Sequence, residues 1–202
     1  MLRMPAAYVL SGGRSSRMGQ PKSGLAWRGT TLLQFVAGQL AETTGGPCTV
    51  VGGLPIPELR FIPDPREGFG PVSGIATALR DAAPGSWALV AACDMPTVAA
   101  GFLRTLLAAA RENPVADAVI PVTGDGRIHP LCALWRRDAA LPAFEKALAE
   151  EVHRVRDVVA ELAGCVFLAS GDHTEALRNV NTPEEWAALL QSGVPERQTQ
   201  EA

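Results

Sequence analysis

The chain has 202 residues, of which 47% are hydrophobic and 19% charged. It is long enough to bury the core of one ordinary domain, too short for two full-sized ones, and too apolar to be disordered over most of its length. Its 18 Lys and Arg against 21 Asp and Glu leave a formal charge of −3, which excludes the cationic excess of a non-specific nucleic-acid or anionic-membrane binder, so any anionic ligand must be met by local charge.

In chain order, short apolar runs alternate with longer segments of helical spacing. A buried strand is predicted over 6–11, a helix over 31–42, strands over 48–51 and 60–63, a helix over 72–82, a strand over 87–93 and a helix over 99–111. Strands follow over 116–122 and 131–135, then a helix over 138–150, a strand over 165–169 and a helix over 183–190. Thr182 before Pro183, with Glu184 and Glu185 in the first turn, reads as the cap of that last helix. The alternation implies an α/β fold with a mainly parallel central sheet flanked by helices. Apolar periodicity is lost from Ser192 onward, which predicts a domain over 1–191 and a flexible tail over 192–202.

No stretch approaches the roughly 18 apolar residues of a membrane span, and the amino-terminal segment shows no signal-peptide cleavage pattern, so a cytoplasmic protein is expected. Cys48, Cys93, Cys132 and Cys165 are scattered through apolar runs with no C-x-x-C pair, and buried free thiols are expected. With three histidines in all, a histidine-rich metal centre is not expected.

Ligands of open α/β sheets bind where strands end at their carboxyl edge, and the motifs fall at such ends. After the first strand comes Leu10-Ser11-Gly12-Gly13, followed by Arg14, Arg17 and Lys22. Glycines let backbone N–H groups approach phosphate oxygens, and the cations compensate a polyphosphate. The loop fits neither the Walker pattern, since Gln20 and Pro21 separate Gly19 from Lys22, nor G-x-G-x-x-G. A surface turn with solvated cations would use the same residues.

Asp64 precedes Gly70-Pro71, a rigid turn that opens a helix; the acid reads equally as a ligand contact or as a turn residue. Asp94 ends the apolar run Trp87-Ala88-Leu89-Val90-Ala91-Ala92-Cys93 and could coordinate magnesium bridging phosphates, or serve as a turn acid before Pro96. His129-Pro130 enters a strand, and Asn179 and Asn181 precede a helix whose cap Thr182 already supplies. Asparagine amides can donate to phosphate and accept from ring nitrogens.

Together these segments resemble the MobA-like small nucleotidyltransferases, the family typified by molybdenum cofactor guanylyltransferase. The first loop is similar to L-A-G-G-x-S-x-R-M-G-x-D-K, with Ser11 for the usual alanine and Pro21 for the usual aspartate. The segment from Asp64 to Ile75 looks like D-x(n)-G-P-L-A-G-I, Cys93 to Pro96 like C-D-x-P, His129 to Trp135 like H-P-x-x-A-L-Y, and Asn179 to Glu185 like N-x-N-T-P-E-E. Cytidylyl-transferring relatives often carry Pro-Lys where Pro21-Lys22 stands, so the base stays open between guanine and cytosine, while the asparagine segment looks more like the guanylyl branch.

The resemblance implies a single Rossmann-like nucleotidyltransferase domain that moves GMP from GTP to the terminal phosphate of molybdopterin and releases pyrophosphate. It implies Mg²⁺ on Asp94 and catalytic roles for Arg14, Lys22 and Asp94. Leu10, Ser11, Gly12, Gly13, Lys22, Asp64, Gly70, Pro71 and Asp94 would bind the nucleotide. Arg17, His129, Arg156, Asn179 and Asn181 would bind the acceptor, Arg156 and its neighbour Arg154 reading equally as solvated helix charges. Transient contacts with other cofactor-synthesis proteins would follow, and neither nucleic acid nor membrane is expected as a partner. A cytidylyltransferase for the same cofactor, an enzyme for another phosphorylated metabolite, and a non-catalytic nucleotide-binding module are the alternatives.

Overall fold

The computed structural model describes residues 4–12 and 22–192. Strand β1 (Ala6–Leu10) is followed by a 3-10 turn (Lys22–Gly24), a small hairpin of β2 (Ala26–Trp27) and β3 (Thr30–Thr31), and α1 (Leu32–Thr44). Next come β4 (Cys48–Val51), β5 (Arg60–Ile62), α2 (Pro71–Asp81), β6 (Trp87–Ala92), α3 (Ala100–Glu112), β7 (Ala118–Val122) and β8 (Cys132–Arg136). The rest comprises α4 (Arg137–Ala149), α5 (Val155–Glu161), β9 (Cys165–Ala169), a second 3-10 turn (Gly171–Leu177) and α6 (Pro183–Gln191).

One seven-stranded sheet runs in the order β5-β4-β1-β6-β8-β7-β9. All its pairings are parallel except those of β8, which runs antiparallel to both β6 and β7. The mainly parallel α/β sheet expected from the alternation is therefore present. Both faces are covered, as continuous apolar strands require. Ala7, Val9, Leu89 and Ala91 point into one core with α1 and α3, while Tyr8, Leu10, Ala88 and Val90 point into the other with α2 and α4.

Each boundary helix carries its own local reason. Thr31 accepts from the Gln34 amide and Gln34 reaches back to the Thr31 N–H, a capping box that starts α1; Thr182 and Glu185 do the same for α6. Gly70, at φ 103°, places Pro71 at the first position of α2, where a missing N–H costs nothing.

Two expectations need correction. Helix α5, the hairpin and both 3-10 turns have no counterpart in the sequence reading, and β7 begins at Ala118 because Ala116 sits in the preceding turn, where its N–H donates to the Asn113 carbonyl. Cys48, Cys93 and Cys132 are buried free thiols, but Cys165 lies on edge strand β9 and is only partly covered. Burial pushes the first group up to about 12 and Cys165 to about 11, so none is a ready nucleophile. Among the described residues no helix is long and apolar enough to cross a membrane. Of the expected tail only Ser192, which ends α6, is described; 193–202 lie outside the described residues.

The register lines up the functional ends. Leu10 pairs with Val51 and Ala92, and Val51 with Ile62, so the segments after β1, β4, β5 and β6 emerge at one edge. Because β8 runs the other way, with Ala91 opposite Cys132, its amino end reaches that same edge and brings His129 with it.

Candidate active site

Asp94 leaves β6 at this edge with a partly buried carboxylate, and a desolvated charge needs partners. It has two. Asn179 Nδ2 donates to Oδ1 at 2.7 Å, and Lys22 Nζ donates to Oδ2 at 3.2 Å. Lys22 also donates to Asn181 Oδ1 at 2.8 Å. The side chains of Lys22 and Asp94 are 14% and 19% exposed, so the ion pair is largely shielded yet open to a ligand. The Val180 N–H, between the asparagines, donates to the Asp94 carbonyl at 2.9 Å and sets the register of the segment.

These partners are held from behind. Trp27 of the hairpin donates its indole N–H to the Pro96 carbonyl at 2.9 Å and packs on Trp186 of α6 with ring centroids 5.3 Å apart. The hairpin thus ties the segment after Lys22 to the segment after Asp94 and to the helix after Asn181.

A carboxylate oxygen accepts about two hydrogen bonds, so Asp94 keeps acceptor capacity on both atoms. Among the described residues there is no group of three or more His, Cys, Asp or Glu that could enclose a cation. A lone hard oxygen donor suits a cation that takes its other ligands from substrate phosphates and water, which is the habit of Mg²⁺. The residues present therefore fit that ion. Cys93 offers no ready thiolate here, since burial first and the Asp94 charge second push its thiol up to about 12.

The edge where the nucleotide-binding residues are expected is described in part. Ser11 N–H donates to the Val51 carbonyl, and Cys93 N–H to the Leu10 carbonyl, which joins the ends of β1, β4 and β6. Gly13, Arg14 and Arg17 lie outside the described residues. Asp64 does serve its turn: Oδ1 accepts from the Arg66 N–H at 3.0 Å and from the Ser73 hydroxyl. Its Oδ2 takes no protein donor among the described residues, so the turn does not exhaust the carboxylate.

Sequence reasoning missed Gly52 and Gly53. Both have positive φ, 71° and 70°, and a Cβ on Gly53 would come within 2.8 Å of Ser11 O and Oγ. The available signal was a second Gly-Gly pair directly after a strand, repeating the pattern at Gly12-Gly13. Gly53→Ala is expected to cost about 1–2 kcal/mol for the left-handed backbone. Its thermal midpoint should fall by about 2–8 °C, with a severalfold rise in nucleotide KM; wild-type melting and KM would show that the loop yields without cost.

Beside this cluster a cavity of about 710 Å³ is lined by Pro71, Arg127, His129, His153, Arg154, Arg156, Asn179 and apolar residues that include Met95, Ile128 and Leu131. Its charged lining is cationic throughout, which suits an anionic ligand. His129, Arg156 and Asn179 thus line one cavity, whereas Asn181 sits at Lys22 and accepts from its ammonium. Arg127, Arg154 and His153 join the cavity beyond the residues singled out for it. His153 is positioned by its ring nitrogen 2.8 Å from the Phe69 carbonyl and by stacking on Phe69 at 4.2 Å. Burial, then the neighbouring Arg127 charge, hold the His129 imidazolium below the ordinary histidine pKa despite Asp125.

The sequence profile of the MobA-like NTP transferase domain matches residues 7–166. A molybdenum cofactor guanylyltransferase of Xanthomonas euvesicatoria is 34% identical over 188 residues, covering 90% of this chain and 92% of that one. Another, of Rhizobium meliloti, is 35% identical and covers 95% of each. Among solved structures, molybdopterin-guanine dinucleotide biosynthesis protein A of Archaeoglobus fulgidus superposes with a TM-score of 0.77 at 23% identity, covering 93% of this chain and 97% of that one. A 2-C-methyl-D-erythritol 4-phosphate cytidylyltransferase of Thermus thermophilus shares the fold at a TM-score of 0.66 and 17% identity, covering 93% and 100%.

Proposed function

The chain belongs to the MobA-like NTP transferase family, and on that premise we propose that it transfers GMP from GTP to the terminal phosphate of molybdopterin and releases pyrophosphate. It is a nucleotidyltransferase, and the observation that carries the reading of its site is the convergence of Lys22, Asn179 and Asn181 around Asp94, next to a cavity with cationic lining.

An oxygen of the acceptor phosphate attacks the α-phosphorus of GTP in line; the new P–O bond forms as the bond from that phosphorus to the bridging oxygen breaks, and pyrophosphate leaves with the electron pair. Both reactants are anions, so charge neutralisation matters more than a base. Mg²⁺ on the Asp94 carboxylate would draw triphosphate charge onto itself when bound. Lys22 stabilises charge growing on the departing pyrophosphate, and Asn179 keeps Asp94 in its rotamer. Leu10, Ser11, Gly12, Asp64, Gly70 and Pro71 border the nucleotide in this reading, with Gly13 and Arg14 continuing the phosphate loop. Arg156, His129 and Asn179 take the acceptor, joined by Arg127, Arg154 and His153 from the cavity and by Arg17.

The catalytic domain is assigned to 1–191, with 192–202 as an appendage, and the reaction to the cytoplasm, where other cofactor-synthesis proteins would supply the acceptor and receive the product. Guanine is favoured over cytosine because the relatives that align over nearly their whole length are guanylyltransferases by name.

The test is magnesium-dependent pyrophosphate release by the purified protein with molybdopterin, offering GTP, CTP, ATP and UTP separately. GTP should give at least about tenfold the kcat/KM of the others, a difference of roughly 1.4 kcal/mol in transition-state binding. Preference for CTP would assign a cytidylyl transfer, and silence with every nucleotide would reject the transfer to this acceptor.

A further inference from the structure

At the hairpin between β7 and β8 a single hydroxyl proton decides which partner donates at His129 Nε2. The Thr123 hydroxyl lies 2.5 Å from Asp125 Oδ1, 3.1 Å from the Arg127 carbonyl and 3.2 Å from His129 Nε2. A hydroxyl has one proton, and a carboxylate or carbonyl oxygen can only accept it. That proton therefore goes to Asp125 or to the Arg127 carbonyl, and toward the ring the hydroxyl offers only a lone pair. Nε2 must be the donor.

The ring is also fixed in place. His129 N–H donates to the Pro121 carbonyl, the Cys132 N–H donates back to the His129 carbonyl, and Ile128 bridges to Val122. Pro130 confines the residue before it to extended backbone. Asp125 and Arg127 face the ring from its own hairpin, and His153, Arg154 and Arg156 share the cavity from the start of α5. Half-burial first and the Arg127 charge second disfavour the imidazolium, against Asp125, which favours it. Among the described residues no group donates to Nδ1.

We propose that His129 is a specificity-determining residue, held as the neutral Nε2–H tautomer so that its bare Nδ1 accepts a hydrogen bond from an N–H or O–H of the second substrate's organic body. The phosphate of that substrate goes to the arginines. An imidazolium would have added one more cation for the phosphate; a neutral acceptor instead penalises any phosphorylated ligand with no donor at that position, because the lone pair would be buried unpaired. The ligand half of this proposal rests on the transfer function above, and the tautomer half does not.

Long-range ¹H–¹⁵N spectra of the full-length protein, with its three histidines labelled, read the tautomer directly. Expected at pH 7 is a proton on Nε2 and none on Nδ1, with the Nδ1 resonance moving when molybdopterin is added. A proton on Nδ1, alone or with Nε2, overturns the proposal, and an Nδ1 that ignores the acceptor overturns its ligand half. In kinetics His129→Ala should raise the acceptor KM about tenfold, the effect of one lost neutral hydrogen bond, with the KM for GTP within about twofold. His129→Asn, whose carbonyl can take the place of Nδ1, should recover most of that loss, and His129→Gln, which reaches the Nε2 position, should not. Recovery by Gln and not by Asn would reduce His129 to a tether for the hairpin. If the wild-type protein releases no pyrophosphate with any nucleotide, the function and the ligand half fall together while the spectrum still decides the tautomer.

Discussion

Asp94→Ala is expected to lower turnover by at least about a thousandfold, equivalent to roughly 4 kcal/mol of transition-state stabilisation, while leaving the fold intact. The loss comes from removing the carboxylate to which both Lys22 and Asn179 donate, and with it the hard oxygen donor for a cation bound between protein and triphosphate. The fold survives because the Asp94 backbone carbonyl still receives the Val180 N–H and because Lys22 and Asn179, being partly exposed, can turn to water. The thermal midpoint should move by no more than about 4 °C, which corresponds to about 1 kcal/mol in a chain of this size. Asp94→Asn keeps the volume and lets Asn179 donate to a carbonyl, yet it sets an amide against the ammonium; its turnover should fall nearly as far. A folded alanine variant within tenfold of wild-type turnover would remove Asp94 from the chemistry.

Lys22→Met retains the aliphatic stem and deletes the charge. It should lower kcat/KM for the nucleotide by about 10²–10³, the range for losing one preorganised donor at a developing anion. The acceptor KM should stay within a fewfold, because Lys22 does not line the cationic cavity. The ion pair itself is no great source of stability: its side chains are largely shielded, so much of the attraction is offset by desolvation, and Asn179 still donates to Asp94 when the ammonium is gone. Stability and activity are thus expected to separate in this variant. A change confined to the acceptor KM would move Lys22 to the other substrate.

The central strands were legible because they are continuous apolar runs, as in Cys48–Val51 and Trp87–Ala92, and such runs identify strands covered on both faces. The direction of β8 was not legible, since a buried strand carries the same composition whichever way it runs. The hairpin of β2 and β3 escaped notice because two-residue strands have no periodicity to read. Helix α5 has seven residues and no side-chain cap, so neither its length nor its start announces it. Within the site, Asp94 and Lys22 could be singled out as chemistry-bearing residues, and their contact across 72 positions of chain could not. Asn179 and Asn181 were residues that the cap at Thr182 left without a purpose; the structure supplies one for each, on Asp94 and on Lys22. His153 had no motif at all, because its place depends on Phe69, which lies 84 residues earlier.

Every strand of the central sheet precedes residue 170, whereas Asn179, Asn181 and Trp186 all come after it. During synthesis, which delivers the chain from its amino end, a nascent polypeptide that has emerged through Ala169 can pair the whole sheet. It already carries Lys22 and Asp94 but not yet Asn179 and Asn181. The sheet and the completed site therefore draw on different parts of the chain. The last stretch seats Trp186 on Trp27 and Leu189 in the core, so the amides that hold Lys22 and Asp94 come from the part of the chain that is made last.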